Sequence, residues 1–262
     1  TAQNDGDLDT LATLLAEGYT LRDCILHCEF DRSGTLADLQ RVLAGPSRFD
    51  AGRSIPLGDR HGVFELVWSR GAGQTVGASE LTKWFVNRCD ATGRFLLTEW
   101  YGEHELVQAL KRGEELYLQD EAAGDTARSR RRLSFWKTVL AYNAGNWDAV
   151  SAGFAPDLVT EDHRPAGWGR LSSRGAYLEI IQGLAGMATE RRWVVRSVAL
   201  EGTVIRLEMD VVGTDNEGGA FVLPFLAVVV LGDRGIEHQV LYVPEQAAEA
   251  DRRFHELLNE RV

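Results

Sequence analysis

An internal repeat limits what this chain can fold into more than any other feature. Asp7-Leu8-Asp9-Thr10-Leu11 through Thr20-Leu21-Arg22-Asp23 matches Asn146-Trp147-Asp148-Ala149-Val150 through Thr160-Glu161-Asp162, an offset of 162 − 23 = 139. Leu43-Ala44-Gly45 matches Leu184-Ala185-Gly186 at offset 141, and Gly77-Ala78 and Gly93 match Gly219-Ala220 and Gly235 at 142. Short loop insertions account for so small a drift. Self-similarity at a long period means one structural unit used twice. The 262 residues are therefore expected to form two domains of ordinary size rather than one large one. The first copy is read as residues 1–120, a charged, glycine-containing linker as 121–132, and the second copy as 133–262.

Periodicity predicts the same series of elements in each copy. In the second, Leu133 to Ala144 and Asn146 to Phe154 read as amphipathic helix broken near Gly145. A short strand over Asp157 to Arg164, a glycine-rich loop to Ser173 and a helix over Ser173 to Met187 come next. Four strands follow, Trp193 to Leu200, Val204 to Gly213, Ala220 to Leu231 and Ile236 to Val243, before a closing helix over Glu245 to Asn259. The first copy repeats the series as Leu8 to Leu15, Tyr19 to Phe30, Thr35 to Leu43, Val63 to Arg70, Val76 to Cys89, Arg94 to Tyr101 and Glu105 to Leu118. Helices followed by a run of antiparallel strands imply an α+β fold, a curved sheet wrapped around helices. The strand from Ala220 to Leu231 is apolar on both faces and needs cover on both. One face is expected to meet its own helices, the other a second sheet, so that the two copies pair as an intramolecular pseudo-dimer. No counterpart of Leu133 to Ala144 precedes Asp7, and residue 1 is Thr, so the natural polypeptide is expected to extend upstream.

Composition narrows the function classes. With 28 Lys+Arg against 39 Asp+Glu the net charge is −11, which argues against a nucleic-acid or anionic-membrane surface. Arg128-Ser129-Arg130-Arg131-Arg132 is the only basic run and reads as solvated linker. No apolar run reaches the 18 or so residues of a membrane span, and the acidic start is not a signal peptide. Cys24, Cys28 and Cys89 are too few for a disulfide framework, so a reducing cytoplasm is expected. On a single strand Cys24 and Cys28 would lie about 13 Å apart, too far to share a zinc ion, and no metal or cofactor is expected. No phosphate-binding loop or nucleophile elbow is present.

Asn143-Ala144-Gly145-Asn146-Trp147-Asp148, followed by helix, strand and Glu161-Asp162, resembles the opening of the nuclear-transport-factor-2-like superfamily, which includes the SnoaL-like cyclases and the ketosteroid isomerases. The first copy keeps the same 19-residue step from Asn4 to Asp23. The resemblance implies two cone-shaped α+β barrels, each with an apolar pocket between sheet and helices. Asp162 falls at the position resembling the isomerase's proton-abstracting Asp, and Asp23 is its equivalent. The isomerase's enolate-stabilising Tyr corresponds to Thr138, and the strand around Phe225 to Val230 has no acid, so that reaction is not expected.

His238 is the candidate partner of Asp162 in a dyad. The implied pocket is expected to draw on Thr138, Tyr142, Trp147, Phe154, Leu158, Trp168, Tyr177, Arg206 and Tyr242, with Asp23 in the first copy. Arg206 beside Asp162 would resemble an epoxide hydrolase arrangement. The favoured reading is a module binding a small apolar molecule, a sensory part of a longer regulatory protein of actinobacterial type. The alternative is a SnoaL-like isomerase, cyclase or epoxide hydrolase using Asp162. Fold does not decide between them. Partners are expected to be a small molecule and the other repeat, with further self-association open.

Overall fold

The computed structural model describes residues 7–45, 47–70, 79–121 and 126–260. It divides into two compact units, Thr1–Ala122 and Ala123–Val262. The first contains α1 (Leu8–Leu14), β1 (Leu15–Asp23), β2 (Cys28–Asp31), α2 (Arg32–Leu43), β3 (Ser47–Pro56), β4 (His61–Arg70), β5 (Ser79–Cys89), β6 (Phe95–Gly102) and α3 (Leu106–Asp120). The second contains α4 (Thr126–Asn143), α5 (Trp147–Ala152), β7 (Phe154–Asp162), β8 (Gly169–Leu171), α6 (Arg174–Gly186), β9 (Ala188–Glu201), β10 (Val204–Asp215), β11 (Ala220–Gly232), β12 (Gly235–Tyr242), a 3-10 turn at Pro244–Gln246, and α7 (Ala247–Asn259).

Both units build the same six-stranded sheet. The orders are β2-β1-β6-β5-β4-β3 and β8-β7-β12-β11-β10-β9. In each, one pair is parallel, β1 with β6 and β7 with β12, and the other neighbours are antiparallel. The repeat is therefore one of topology as well as of residues. Part of it has a simple local cause. Asp7 and Asn146, which match at offset 139, are helix N-caps, accepting from Thr10 N at 2.9 Å and Ala149 N at 3.1 Å. A short polar side chain there satisfies a backbone N–H that the first turn leaves free. Asp31 and Ser173 cap α2 and α6 in the same way.

Several boundaries differ from the sequence reading. Tyr19 to Phe30 is not one strand but the hairpin β1–β2, with a turn at residues 24–27. Cys24 and Cys28 thus flank a turn rather than share a strand, and all three cysteines are free. The edge strand β3 was not foreseen. Residues 76–78 of the expected strand Val76 to Cys89 lie outside the described residues. Residues 126–132, expected in the linker, form the start of α4 with Ser129 and Arg132 buried. Arg132 donates to Gly202 O at 2.8 Å and Arg131 pairs with Asp233 at 2.6 Å, so that basic run is engaged rather than merely solvated. The first unit has no counterpart of α4 among the described residues.

The sheet of the second unit has two covered faces. Val204, Leu226, Val228, Val230, Val240 and Tyr242 form one cluster with Ala250, Phe254 and Leu257 of α7. This outer face, expected to meet a second sheet, is covered by the unit's own last helix. The inner face carries Leu207, Met209, Phe225, Ala227, Val229 and Leu241 beneath Phe135 and Val139 of α4. The start of β11 escapes both layers, with Val222 and Leu223 more than half exposed.

Candidate functional site

Between the inner face and the helices the second unit has a partly open chamber of about 30 Å³. Its lining is aromatic and aliphatic, and includes Phe154 of β7, Tyr177 of α6, Trp193 of β9 and Ile236 of β12 alongside the inner-face residues already named. One amide reaches it, Gln239 of β12. Gln239 Nε2 donates to Thr160 Oγ1 at 2.8 Å, and the amide also shares a hydrogen bond with the Tyr177 hydroxyl, whose pKa burial pushes up to about 12. Tyr177 therefore stays neutral at ordinary pH. Its ring meets Phe154 edge-on at 5.1 Å and Trp168 at 6.4 Å.

Around Trp193 lies an aromatic wall. Tyr142 stacks on Trp193 at 3.9 Å and meets Trp147 edge-on at 5.7 Å. Arg191 lies over the rings of Tyr142 and Trp147. Asn143 fixes the arrangement, accepting from Trp193 N at 2.7 Å and donating to Trp193 O at 3.0 Å.

Asp162 is not a free base. Its side chain is fully buried. It accepts from Arg164 Nε and Nη2, both at 2.8 Å, from Arg164 N at 3.2 Å and from Trp168 N at 3.1 Å. Burial alone would raise its pKa, but the Arg164 hydrogen bonds and charge and the Trp168 N–H outweigh it and hold the carboxyl below its ordinary value. A group with a depressed folded pKa contributes stability that is present above its unfolded pKa of about 3.9 and lost as pH falls through the folded value. A carboxyl-carbon NMR titration should place the Asp162 midpoint below about 3.9. A midpoint above 5 would return it to the range of a general base.

The other expected residues separate into groups. Phe154 and Tyr177 line the chamber, Tyr142 and Trp147 stand behind Trp193, and Trp168 packs on Tyr177. Leu158 is wholly buried core. Thr138 donates to Ser134 O within its own helix at 2.9 Å and packs against Gly153, so it is not a ligand-facing group. His238, Arg206 and Tyr242 belong to the outer face. His238 Nε2 faces Glu161 at 3.3 Å, and burial, against the pull of Glu161, lowers its pKa. Arg206 pairs with Asp251 of α7 at 2.5 Å and with Glu208 at 3.1 Å. Tyr242 is in the α7 cluster and stacks on His163 at 5.2 Å. Neither a His238–Asp162 dyad nor an Arg206–Asp162 pair is formed.

A register shift between Val230 and Leu231 explains part of this. It breaks the alternation of β12, so Ile236 lines the chamber while His238, two residues on, does not. Of the lining residues only Phe154 and Tyr177 were in the expected set; Gln239, Leu241 and Trp193 are among those it missed. The signal for Gln239 and Leu241 was the same alternation, which puts them opposite His238. Asp23, in the first unit, accepts from Ile25 N at 2.9 Å and Leu26 N at 2.8 Å, closing the β1–β2 turn, and faces Lys83 at 3.4 Å. Among the described residues no group of three His, Cys, Asp or Glu side chains is placed to hold a metal ion, and no helix is long and apolar enough to cross a membrane.

Helices cradled by a mixed six-stranded sheet beside an apolar chamber define an α+β unit. Residues 137–238 match the SnoaL-like domain family, so the second unit carries a SnoaL-like domain. No curated protein matches the chain in sequence. Among solved structures it is similar to a hypothetical protein with a ketosteroid isomerase-like fold from Catenulispora acidiphila DSM 44928, solved in complex with trimethylamine. That likeness has 16% identity, 42% of this chain, 83% of that one and a TM-score of 0.37. It is also similar to an NTF2-like protein of unknown function from Burkholderia pseudomallei K96243, with 17% identity, 45% of this chain, 92% of that one and a TM-score of 0.37. A third is an LEH-like epoxide hydrolase of M. tuberculosis, with 15% identity, 42% of this chain, 75% of that one and a TM-score of 0.36.

Proposed function

We propose that the second unit binds a compact, mainly apolar small molecule in this chamber and does not transform it. The observation that carries the reading is the chamber's lining, aromatic and aliphatic apart from Gln239. Its amide is held by Thr160 and Tyr177. A small-molecule site is usually an apolar concavity of about 300–1,000 Å³ with a few fixed polar groups; this one has that composition at about 30 Å³. Catalysis would need an acid or base in contact with the ligand. Asp162, the carboxylate expected there, is instead occupied by Arg164 and Trp168. Binding without chemistry suits a sensory role, in which the ligand shifts an equilibrium by its differential affinity.

At about 30 Å³ the chamber has room for roughly two waters, so a larger ligand must displace lining side chains as it enters. Benzene is a suitable probe. Methyl NMR of Ala227 and Leu241 is expected to shift on titration with a Kd of about 1 mM, some −4 kcal/mol. Ala227→Leu adds three carbons to the lining and should abolish the shifts while costing about 1–3 kcal/mol of stability through overpacking. Unshifted chamber signals in the unsubstituted protein would remove the ligand reading.

A further inference from the structure

The loop between β7 and β8 packs against two of the chamber's lining residues, Phe225 and Tyr177. Arg164 sits over the Trp168 ring at 4.9 Å and over the ring of Phe225, a chamber residue, at 5.8 Å. Trp168 packs edge-on to Tyr177, another chamber residue. The hydrogen bonds that tie residues 164–168 to β7 all end on one carboxylate, Asp162, four of them in number. Gly167 packs so closely against the same carboxylate that a Cβ there would meet it. Pro165 and Ala166 are exposed. The two ends of the segment are anchored separately. His163 N donates to Leu241 O at 2.9 Å, and Gly169, at φ +67°, pairs with Asp162 in the β7–β8 ladder.

From this geometry we infer that residues 164–168 are the door of the chamber and that the Asp162 carboxylate is its latch. The inference rests on the reading of the chamber as a ligand site. Releasing Arg164 and Trp168 removes the groups lying against Phe225 and Tyr177, which frees those two lining side chains to move as a molecule enters. A latch of this kind also gives the buried carboxylate a role other than proton abstraction. Ionised Asp162 accepts from both ends of the segment at once, so losing its charge weakens four charge-assisted bonds together. The hinges at His163 and Gly169 use backbone groups that the carboxylate does not touch, so the door can open without unpairing β7 from β12.

Two variants and two readouts test this. Asp162→Asn keeps the side chain's size and removes its charge, and Arg164→Ala removes the bolt from the other side. Asp157→Asn, which removes another carboxylate of β7 and breaks its exposed pair with Arg234 of the β11–β12 turn, is the control for charge loss alone. Amide exchange at Arg164 and Trp168 reports the latch. Benzene exchange, read from NMR line shapes of Ala227 and Leu241, reports passage into the chamber. Both test variants, but not the control, are expected to speed amide exchange and benzene association and dissociation by about tenfold, the equivalent of one charge-assisted hydrogen bond. Benzene affinity should change little. Millimolar guanidinium should slow the Arg164→Ala protein back towards the original rates by filling the vacated place between Asp162, Trp168 and Phe225. Benzene that binds but exchanges at unchanged rates, while the two amides are released, would overturn the door and leave the ligand reading intact. Benzene that reaches the chamber in no variant would remove both.

Discussion

Phe254→Ala is expected to destabilise the second unit by about 3–5 kcal/mol, the cost of a large buried aromatic reduced to a methyl group. Phe254 is 6% exposed and sits in the cluster formed by Ala250 and Leu257 of α7 with Val204, Leu226, Val228, Val230, Val240 and Tyr242 of the sheet. Two features keep the site from collapsing around the gap. The sheet side is mostly short, branched valines that cannot reach across, and α7 is tied down in its N-terminal half by Arg206–Asp251 and by the turn at Pro244–Gln246. Because the chain has two units, a single unfolding midpoint is not a two-state quantity. The measurement is therefore amide exchange in denaturant, resolved by residue. Slowly exchanging amides of β10, β11 and β12 should lose protection, and those of β4 and β5 should serve as the reference. A loss under about 1 kcal/mol, within the range of an ordinary surface change, would mean that α7 does not seal the outer face.

That prediction turns on a layer the sequence reading assigned to the wrong partner. The pattern in β11 states correctly that both faces are apolar, and the pattern Ala247, Ala250, Phe254, Leu257 at helical spacing states that α7 has an apolar stripe. Neither says that one seals the other, because apolar surface recognises apolar surface without direction. The duplication was legible because its markers are local: Asp7 and Asn146 as caps, Gly93 and Gly235 as turn glycines with positive φ. The site was legible only in part. Tyr177 and Phe154 follow from element order and alternation. His238 and Gln239 were exchanged, because a bulge in β12 shifts the alternation by one, and a one-residue slip moves every later side chain to the other face. The partner of Asp162 was hidden for a different reason. Arg164 is two residues away in a loop, and whether a loop arginine turns back onto a carboxylate or out to solvent depends on Trp168, Phe225 and Tyr177, which come together only on folding.

The two copies also show how one topology carries different chemistry at equivalent places. Asp23 and Asp162 close the turn after the matching strand by accepting backbone N–H groups. The first takes its countercharge from Lys83, which lies 4.3 Å from the Trp100 ring. The second takes it from Arg164, whose planar fork satisfies both oxygens. A point-charge lysine and a bidentate arginine are not interchangeable, so the segment after β1 lacks the four-bond attachment that the segment after β7 has.

Gly235→Ala is the second large effect, expected at about 3 kcal/mol in the second unit. Gly235 has φ +109°, a conformation that costs an L-residue about 1–3 kcal/mol. An added Cβ would also run into the carbonyl of Gly153. That carbonyl has little freedom to retreat, because it accepts from Ile236 N at 2.9 Å and begins the parallel pairing of β12 with Phe154 of β7. Moving it loses about 1 kcal/mol for the hydrogen bond and disturbs Phe154 and Ile236, both of which line the chamber. The variant should therefore lose stability and benzene binding together, whereas Phe254→Ala acts from the opposite face and should lower stability with benzene affinity retained in the folded fraction. Gly93, at φ +83°, has no atom within 4 Å of an added Cβ. Gly93→Ala in the first unit carries only the conformational cost, so it should be clearly the milder of the two. Equal losses at Gly93 and Gly235 would show that the Gly153 carbonyl is not what requires glycine there.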